Sequence, residues 1–449
     1  MSQIIKPRTL KGFRDFLPAA MMPREALIDT AKSVYRSYGF SPIDTPVLEL
    51  CEILTGKGSD ETDKQMYQFH DQGKRHVGMR FDLTVPLARF VAQHHNDLGM
   101  PFKRYHVGKV WRGEAPQAGR YREFMQCDFD TIGTTSIASD IETAMVINDL
   151  MRAIGFERFQ VRVNNRKVLN GLLEKFELAD CNVPVLRAID KLDKIGREKV
   201  TAEIMAKTEA SEAQTADILQ LTEMSGTNDE ILGKLEPVCQ GNELAETGLH
   251  ELRQLVSAIQ AVNIPEDNLK LDVAIARGLD YYTGTIFETV LGDYPEIGSV
   301  CSGGRYDNLA QLYTKQQLPG VGASLGLDRL LAAMEKLEML PATSTPADVM
   351  IVQFSKEGLN DYLSIAAGLR ANGVKVEVYP DAKKLGKQFQ YADRRGFKAV
   401  VVAGEDELGA GKVTVKLLEK GEQFEVDYSY GNATELANWL KEKLELFYD

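Results

Sequence analysis

The sequence predicts an α+β protein: an antiparallel-sheet domain interrupted by a helical insertion, followed by a small α/β domain. Three observations carry this. Residues 103–112 and 123–132 alternate as two strands about a loop marked by Pro116 and Gly119. The stretch that follows QVRVNN, to about Glu266, is rich in Ala, Glu, Leu and Ile with few turn signals, which favours helix. After LPATSTPAD, residues 340–348, strand and helix patterns alternate to the end of the chain. At 449 residues the chain is too long for one ordinary core. The expected division is residues 1–339, with the insertion at about 167–266, then a linker at 340–348, then residues 349–449.

Taken in order, Leu27, Ala31, Val34 and Tyr38 recur at spacings of four, three and four before Gly39, predicting an amphipathic helix over Pro23–Tyr38. Pro42 and Pro46 confine Phe40–Leu50 to a sheet edge or an extended crossing. This helix and edge suit a dimer interface. Thr84 is the expected N-cap of a helix with Pro86 in its first turn, placing Asp82 and Leu83 at the end of the preceding strand. Residues 160–165, LDVAIA and TIFETV read as further strands. In GVGASLGLDRLLAAM, Leu327, Leu330, Leu331 and Met334 make an apolar helical stripe, with Gly322, Gly326 and Arg329 on another. In the last domain DVMIVQF, VKVEVY and KAVVVAG are strands, separated by helices ending near Gly373 and Gly396. A hairpin, KVTVKLLEKGEQFEVD, and a final helix close it.

Composition narrows the class of protein. Hydrophobic residues are 44% and charged residues 26%, which suits folded domains rather than disorder. The N-terminal MSQIIKPRTLKGFRDFLP has no signal-peptide core, and no stretch approaches a membrane span, so a cytoplasmic protein is expected. Cys51, Cys127, Cys181, Cys239 and Cys301 are odd in number and scattered, which predicts reduced, mostly buried thiols. A net charge of −12 argues at first against a nucleic-acid partner. Residues 201–250, however, hold ten Asp or Glu against Lys207 and Lys234, so that stretch alone contributes −8. Lys383, Lys384, Lys387, Arg394, Arg395 and Lys398, against the single acid Asp393, offer a phosphate-binding patch or a solvated helix face.

The chemistry-bearing residues lie in a few segments. In REFMQCDFDTI, alternation puts Gln126, Asp128 and Asp130 on one face and Met125, Cys127 and Phe129 on the other. Taken alone, that pattern equally describes a half-exposed sheet with a solvated side. Arg112, Arg120 and Arg122 flank a loop beside Phe124, as suits a nucleotide whose phosphates take guanidinium contacts and whose base stacks on a ring. There is no Walker loop, GxGxxG, HExxH or CxxC.

Together these segments resemble a class II aminoacyl-tRNA synthetase. The helix and strand ending at Pro46 resemble the first family motif, WRGE with its loop and REFMQCDFD the second, and GASLGLDRLL the third. ARGLDYYTGTIFE, residues 276–288, and CSGGRYDNL, residues 301–309, are similar to signatures of the histidyl enzymes. The last domain is similar to an anticodon-binding domain.

The resemblance implies a histidine–tRNA ligase that uses ATP, with Mg2+ accompanying it, L-histidine and tRNA(His), and that forms a homodimer. By the same resemblance Arg112 and Arg277 hold the α-phosphate and the histidine carboxylate. Arg329 holds the γ-phosphate, Glu114 meets the adenine amino group and Phe124 stacks on the base. Arg120 or Arg122 reaches the outer phosphates. Asp82, Thr84 and Gln126 match the α-amino site, Asp130, Tyr281 and Tyr282 the imidazole pocket, and Leu83 is a further residue of the histidine site. No side chains are assigned to a metal. In the transfer step the adenylate phosphate itself is expected to take the proton of the ribose hydroxyl. The competing expectation is a catalytically silent, synthetase-like regulatory subunit of histidine biosynthesis. Such relatives lack the trailing domain and tend to lose the phosphate-binding arginines.

Overall fold

The computed structural model describes residues 4–55, 64–116, 119–275, 281–340 and 344–446. The chain divides into two compact units, Met1–Asp15 with Arg24–Met339, and Phe16–Pro23 with Leu340–Asp449.

The first unit carries strands β1 (Ser41–Pro42), β2 (Leu48–Leu50), β3 (Gln68–His70), β4 (His76–Met79), β5 (Phe102–Trp111), β6 (Glu123–Ile132), β7 (Phe159–Asn165), β8 (Leu269–Leu271), β9 (Thr285–Leu291), β10 (Cys301–Tyr306) and β11 (Gly320–Gly326). Eight form one sheet in the order β1-β5-β6-β11-β10-β9-β7-β8. Its inner pairs, from β5 through β7, are antiparallel, while β1 on β5 and β8 on β7 are parallel. Pro42 lies in the edge strand, where a residue without an N–H costs no ladder bond. β2, β4 and β3 make a separate small antiparallel sheet.

One face of the large sheet is apolar and covered by helices. Cys127 and Phe129 are fully buried, Tyr35 donates its hydroxyl to Cys127 O at 2.9 Å, and the Tyr35 and Phe129 rings lie 5.0 Å apart. The covering helix is Pro18–Ser37, and its buried stripe is Leu27, Ile28, Ala31 and Tyr35. The expected stripe differed at Val34 and Tyr38, which are half-buried, because the helix rotates to bring the Tyr35 ring onto Phe129.

Other local expectations are corrected. The helix after Asp82 runs Thr84–His94 with Leu83 at its N-cap, and the capping acceptor is Asp82, whose Oδ1 takes the Val85 N–H at 3.0 Å. Strand β4 stops at Met79, so Asp82 lies in the turn beyond it. Of residues 271–275 only Leu271 is in a strand: the Asp272 side chain and carbonyl accept from Ala274 N and Ile275 N and turn the chain, and Ala276 lies outside the described residues. Gly322 and Gly326 belong to β11 and not to the helix of Arg329, which begins at Leu327. Gly322 is needed in the strand: a Cβ there would collide with the Asp130 carboxylate and the Phe129 carbonyl.

Helices from Arg166–Lys175 to Glu243–Ala261 lie between β7 and β8, a long crossover joining parallel neighbours. Two of them open with capping boxes, Ser211 with Gln214 and Thr227 with Glu230. Val200, Ile204, Ile218, Leu219, Leu235 and Leu255 are fully buried, so the acidic surface of this segment encloses its own apolar core. The five cysteines are free; four are buried and Cys181 is half-buried.

The second unit has a five-stranded sheet, β13-β12-β14-β15-β16, formed by β12 (Val349–Ile351), β13 (Val376–Val378), β14 (Ala399–Val402), β15 (Lys412–Leu417) and β16 (Gln423–Asp427). β12 pairs in parallel with β13 and β14, and β15 and β16 add an antiparallel hairpin. Val349 and Ile351 face a core containing Ile365, Leu369, Leu436 and Leu440; Met350 and Val352 face another with Ala392 and Phe397. No helix among the described residues is long and apolar enough to cross a membrane.

A buried charge cluster ties the first unit together. Asp328 accepts from Arg24, from Arg14 Nη2 at 3.1 Å and from Met125 N at 2.8 Å, joining three segments remote in sequence. Both members of the Arg24–Asp328 pair are nearly inaccessible. We expect Asp328→Ala to destabilise the first unit by about 3–5 kcal/mol, since it strips the carboxylate from a buried guanidinium. Urea unfolding followed by Trp111 fluorescence in a Trp439→Phe background measures it; a loss under about 1 kcal/mol would show the cluster to be dispensable.

Candidate active site

The other face of the large sheet is polar, and it is buried rather than solvated. Gln126, Asp128 and Asp130 are each more than nine-tenths inaccessible. The registers of β5, β6 and β11 arrange them in rungs: Gly108, Gln126 and Gly326; His106, Asp128 and Ser324; Arg104, Asp130 and Gly322. Of the glycines beside Gln126 and Asp130, Gly326 leaves room over the sheet, whereas the room at Gly108 and Gly322 is taken by Arg80 and by the Asp130 carboxylate itself.

Asp130 accepts from the Tyr306 hydroxyl on one oxygen and lies 2.6 Å from Arg104 Nη2 on the other. Arg104 is fully buried, and its guanidinium nitrogens have no aligned hydrogen-bond acceptor among the described residues. Burial pushes the Asp130 carboxyl above its ordinary value, with Arg104 and Tyr306 opposing. Burial likewise raises Asp82, opposed by the Val85 N–H and by Arg112. Asp128 is pushed up to about 7, first by burial and then by Asp130 and Asp82, with Arg104 and Ser324 opposing. Across the rung, burial with Arg104 and Arg80 holds His106 down at about 3, so it is neutral; its Nε2 lies 2.9 Å from Asp44 Oδ1.

Leu83 is fully buried. Tyr281 and Tyr282 are half-buried with rings 5.2 Å apart; the Tyr281 hydroxyl faces the Thr84 side chain, and its ring lies 5.9 Å from that of Tyr306. Arg112 follows β5, donates Nε to Phe81 O at 3.1 Å, and lies 4.4 Å from the Phe81 ring and 5.1 Å from the Phe124 ring. Its Nη1 is 3.9 Å from Glu114 Oε1.

Arg122 and Arg120 have different surroundings. Arg122 donates Nε to Glu114 O at 3.1 Å and Nη1 to Lys11 O at 3.5 Å, so its guanidinium ties the loop down. Arg120 is exposed and acts electrostatically on Arg329. Arg329 donates to Ser299 O, and its pKa is lowered by burial, Arg120 and Arg112. The second and third sequence segments therefore meet at one cluster of guanidiniums. A Cβ at Gly119, which has φ +69°, would come within 3.3 Å of the Arg329 backbone, so this loop needs glycine to approach the helix. Arg277 lies outside the described residues.

Sequence reasoning singled out neither Arg104 and Ser324 nor a role for Asp128 and Tyr306. For Arg104 and Asp128 the signal was the hairpin register: with Trp111 opposite Glu123, Arg104 must face Asp130 and His106 must face Asp128; Ser324 and Tyr306 reach the site from β11 and β10, outside that hairpin.

Comparison with known proteins identifies the family. Residues 12–330 match the family model described as histidyl-tRNA synthetase, and residues 348–443 match that of an anticodon binding domain. A histidine–tRNA ligase of Rhodopirellula baltica is 58% identical over 427 residues, covering 95% of this chain and 97% of that one. That of Wolinella succinogenes is 46% identical, covering 94% and 96%. The crystal structure of histidyl-tRNA synthetase from Nostoc sp. PCC 7120 superimposes with a TM-score of 0.89 at 36% identity, covering 98% of this chain and all of that one. With its antiparallel sheet, its trailing anticodon-binding domain and relatives that match it nearly end to end, the chain belongs to the histidyl-tRNA synthetase family of aminoacyl-tRNA ligases.

Proposed function

We propose that the polar face of the sheet binds L-histidine and ATP side by side, forms histidyl-adenylate with release of pyrophosphate, and passes histidine to the 3′ end of tRNA(His). The observation that carries this reading is the gathering of Arg112, Arg120 and Arg329. Burial first, and then repulsion from Arg120 and Arg112, depresses Arg329, an arrangement that favours binding of a polyanion. Beside them lie acceptors suited to a cation, Asp82 and Gln126, with Thr84 next to them. Farther along the face Asp130, with Tyr281 and Tyr282, supplies groups for an imidazole, which needs one donor and one acceptor.

In the first step a histidine carboxylate oxygen bonds to the α-phosphorus and the bond from that phosphorus to pyrophosphate breaks. Two anions approach, so fixed cations at the accumulating charge lower the barrier. Arg112 and Arg277 take the α-phosphate and carboxylate, Arg329 the γ-phosphate, and Glu114 and Phe124 the adenine. Arg120 is favoured for the outer phosphates because the Arg122 guanidinium is occupied by Glu114 O and Lys11 O. Mg2+ bound with ATP would screen its phosphates. In the second step the ribose hydroxyl attacks the carbonyl carbon, its proton passes to the adenylate phosphate, and AMP leaves.

The enzyme is read as cytoplasmic and homodimeric. Val47, Leu48, Leu50 and Phe69, on and beside the small sheet, expose apolar side chains that a second copy would cover. In the second unit the exposed Lys384, Lys387 and Arg394 offer contacts for the tRNA backbone, whereas Lys383 and Lys398 pair with Asp381 and Asp348. The regulatory-subunit reading finds less support. A Bacillus halodurans protein described as ATP phosphoribosyltransferase regulatory subunit/histidyl-tRNA synthetase is 23% identical with a TM-score of 0.73, a likeness of fold.

ATP–pyrophosphate exchange with each amino acid in turn tests the function: histidine alone should support it. Arg112→Ala should lower kcat by about 10²–10³-fold. A folded protein that binds histidine yet exchanges with no amino acid would restore the regulatory reading. Asp130→Asn should raise the KM for histidine by about 10–100-fold while leaving that for ATP nearly unchanged; equal effects on both would remove Asp130 from the imidazole pocket. Sedimentation should show a dimer at micromolar concentration, and a monomer would sink that proposal.

A further inference from the structure

Gln126, Ser324 and Asp128 form a hydrogen-bonded chain across β6 and β11. Gln126 Nε2 donates to Ser324 Oγ at 2.6 Å, and Ser324 stands directly opposite Asp128 in the β6–β11 register, where its hydroxyl is placed to donate to that carboxyl, whose Oδ1 is buried without a hydrogen-bond partner among the described residues. The polarity of this chain follows from its members. An ionised carboxylate only accepts, so the single hydroxyl proton goes to Asp128, and Ser324 has only lone pairs left to offer Gln126. The amide must then turn its NH2 inward. Its Oε1 is buried and has no hydrogen-bond partner among the described residues, on a side chain 8% exposed.

We infer that Asp128 and Ser324 are positioning residues, which fix the Gln126 amide with its oxygen rather than its nitrogen available to the α-ammonium of histidine. The inference rests on the reading of Gln126 as part of the amino-acid site. Without the relay the amide can present either end, and the NH2 end is a donor facing a cation, which weakens binding of the amino acid.

The device is sensitive to pH. Asp128 is faced by Arg104 and His106 of β5, Asp130 of its own strand, Ser324 of β11, Arg80 and Asp82 of the turn after β4, and Tyr282. His106 is neutral across the working range. With the Asp128 carboxyl raised to about 7, the relay is set above that pH. Below it, a protonated Asp128 donates to Ser324, which can then donate to the Gln126 oxygen and take away the acceptor.

Histidine-dependent pyrophosphate exchange between about pH 6 and 8.5 tests this, with wild type, Ser324→Ala, Ser324→Thr and Asp128→Asn, each checked by thermal unfolding. Loss of one hydrogen bond to a charged group corresponds to about 10-fold or more. Ser324→Ala should therefore raise the KM for histidine by about that factor while kcat and the KM for ATP change less than about twofold, and Ser324→Thr should restore it. The wild-type KM should rise on acidification below about 7 more steeply than that of Asp128→Asn; the substrate imidazole titrates in both and cancels in the comparison. In a Gln126→Glu background, where either oxygen accepts, Ser324→Ala should add nothing.

An unchanged KM in Ser324→Ala, or the same increase in the Gln126→Glu background, overturns the relay. If Gln126→Ala itself leaves the KM for histidine unchanged while wild-type exchange persists, the placement of Gln126 in the amino-acid site fails instead. Should Asp128→Asn unfold, the Ser324 variants decide the matter without it.

Discussion

The candidate site depends on the register between β5, β6 and β11. That pairing sets Arg104 beside Asp130, His106 beside Asp128 and Gly108 beside Gln126, and it brings Gly322, Ser324 and Gly326 up on the other side. A slip of one residue would exchange the faces and bury Gln126, Asp128 and Asp130 against Tyr35, where Cys127 and Phe129 now lie. Helix packing on one face therefore protects the register that the chemistry on the other face requires.

Burying three carboxylates on one side of a sheet is costly, and the structure offsets the cost only in part. Arg104 compensates Asp130, the Val85 N–H and Arg112 serve Asp82, and Asp128 is left with a raised pKa. Arg112, Arg120 and Arg329 show the opposite frustration, cations drawn together without enough local acid. Such residual imbalance is characteristic of sites whose ligands complete the charge. A zwitterionic amino acid and a polyphosphate would do so in complementary ways, the ammonium meeting the carboxylates and the phosphates meeting the guanidiniums.

The structural and chemical roles are kept apart. Asp328 and Arg305 are as buried as the site acids, yet each is satisfied by protein groups alone: Asp328 by Arg14, Arg24 and Met125 N, and Arg305 by Asp140, Asp307 and the Thr134 and Ser136 carbonyls. The two charge networks rigidify the sheet from opposite sides of β11. Gln126 differs, since its amide oxygen is buried without such a partner.

Much of this was legible before folding. The strands of the central hairpin, the helix-rich segment and the alternating last domain follow from local periodicity, and the family follows from short strings such as WRGE and CSGGRYDNL. Local chemistry could not decide what depends on distant partners. Only the pairing of β6 with β11 makes Gly322 a strand residue lying under Asp130. Only coverage of the sheet turns the polar face of β6 from a solvated surface into a buried one. Arg120 and Arg122, equivalent in sequence, differ because the tertiary structure brings Lys11 and the Glu114 carbonyl to one and Arg329 to the other. Periodicity records which way a side chain points; what it meets there is set by chain segments as far as 314 residues away, the separation of Arg14 and Asp328.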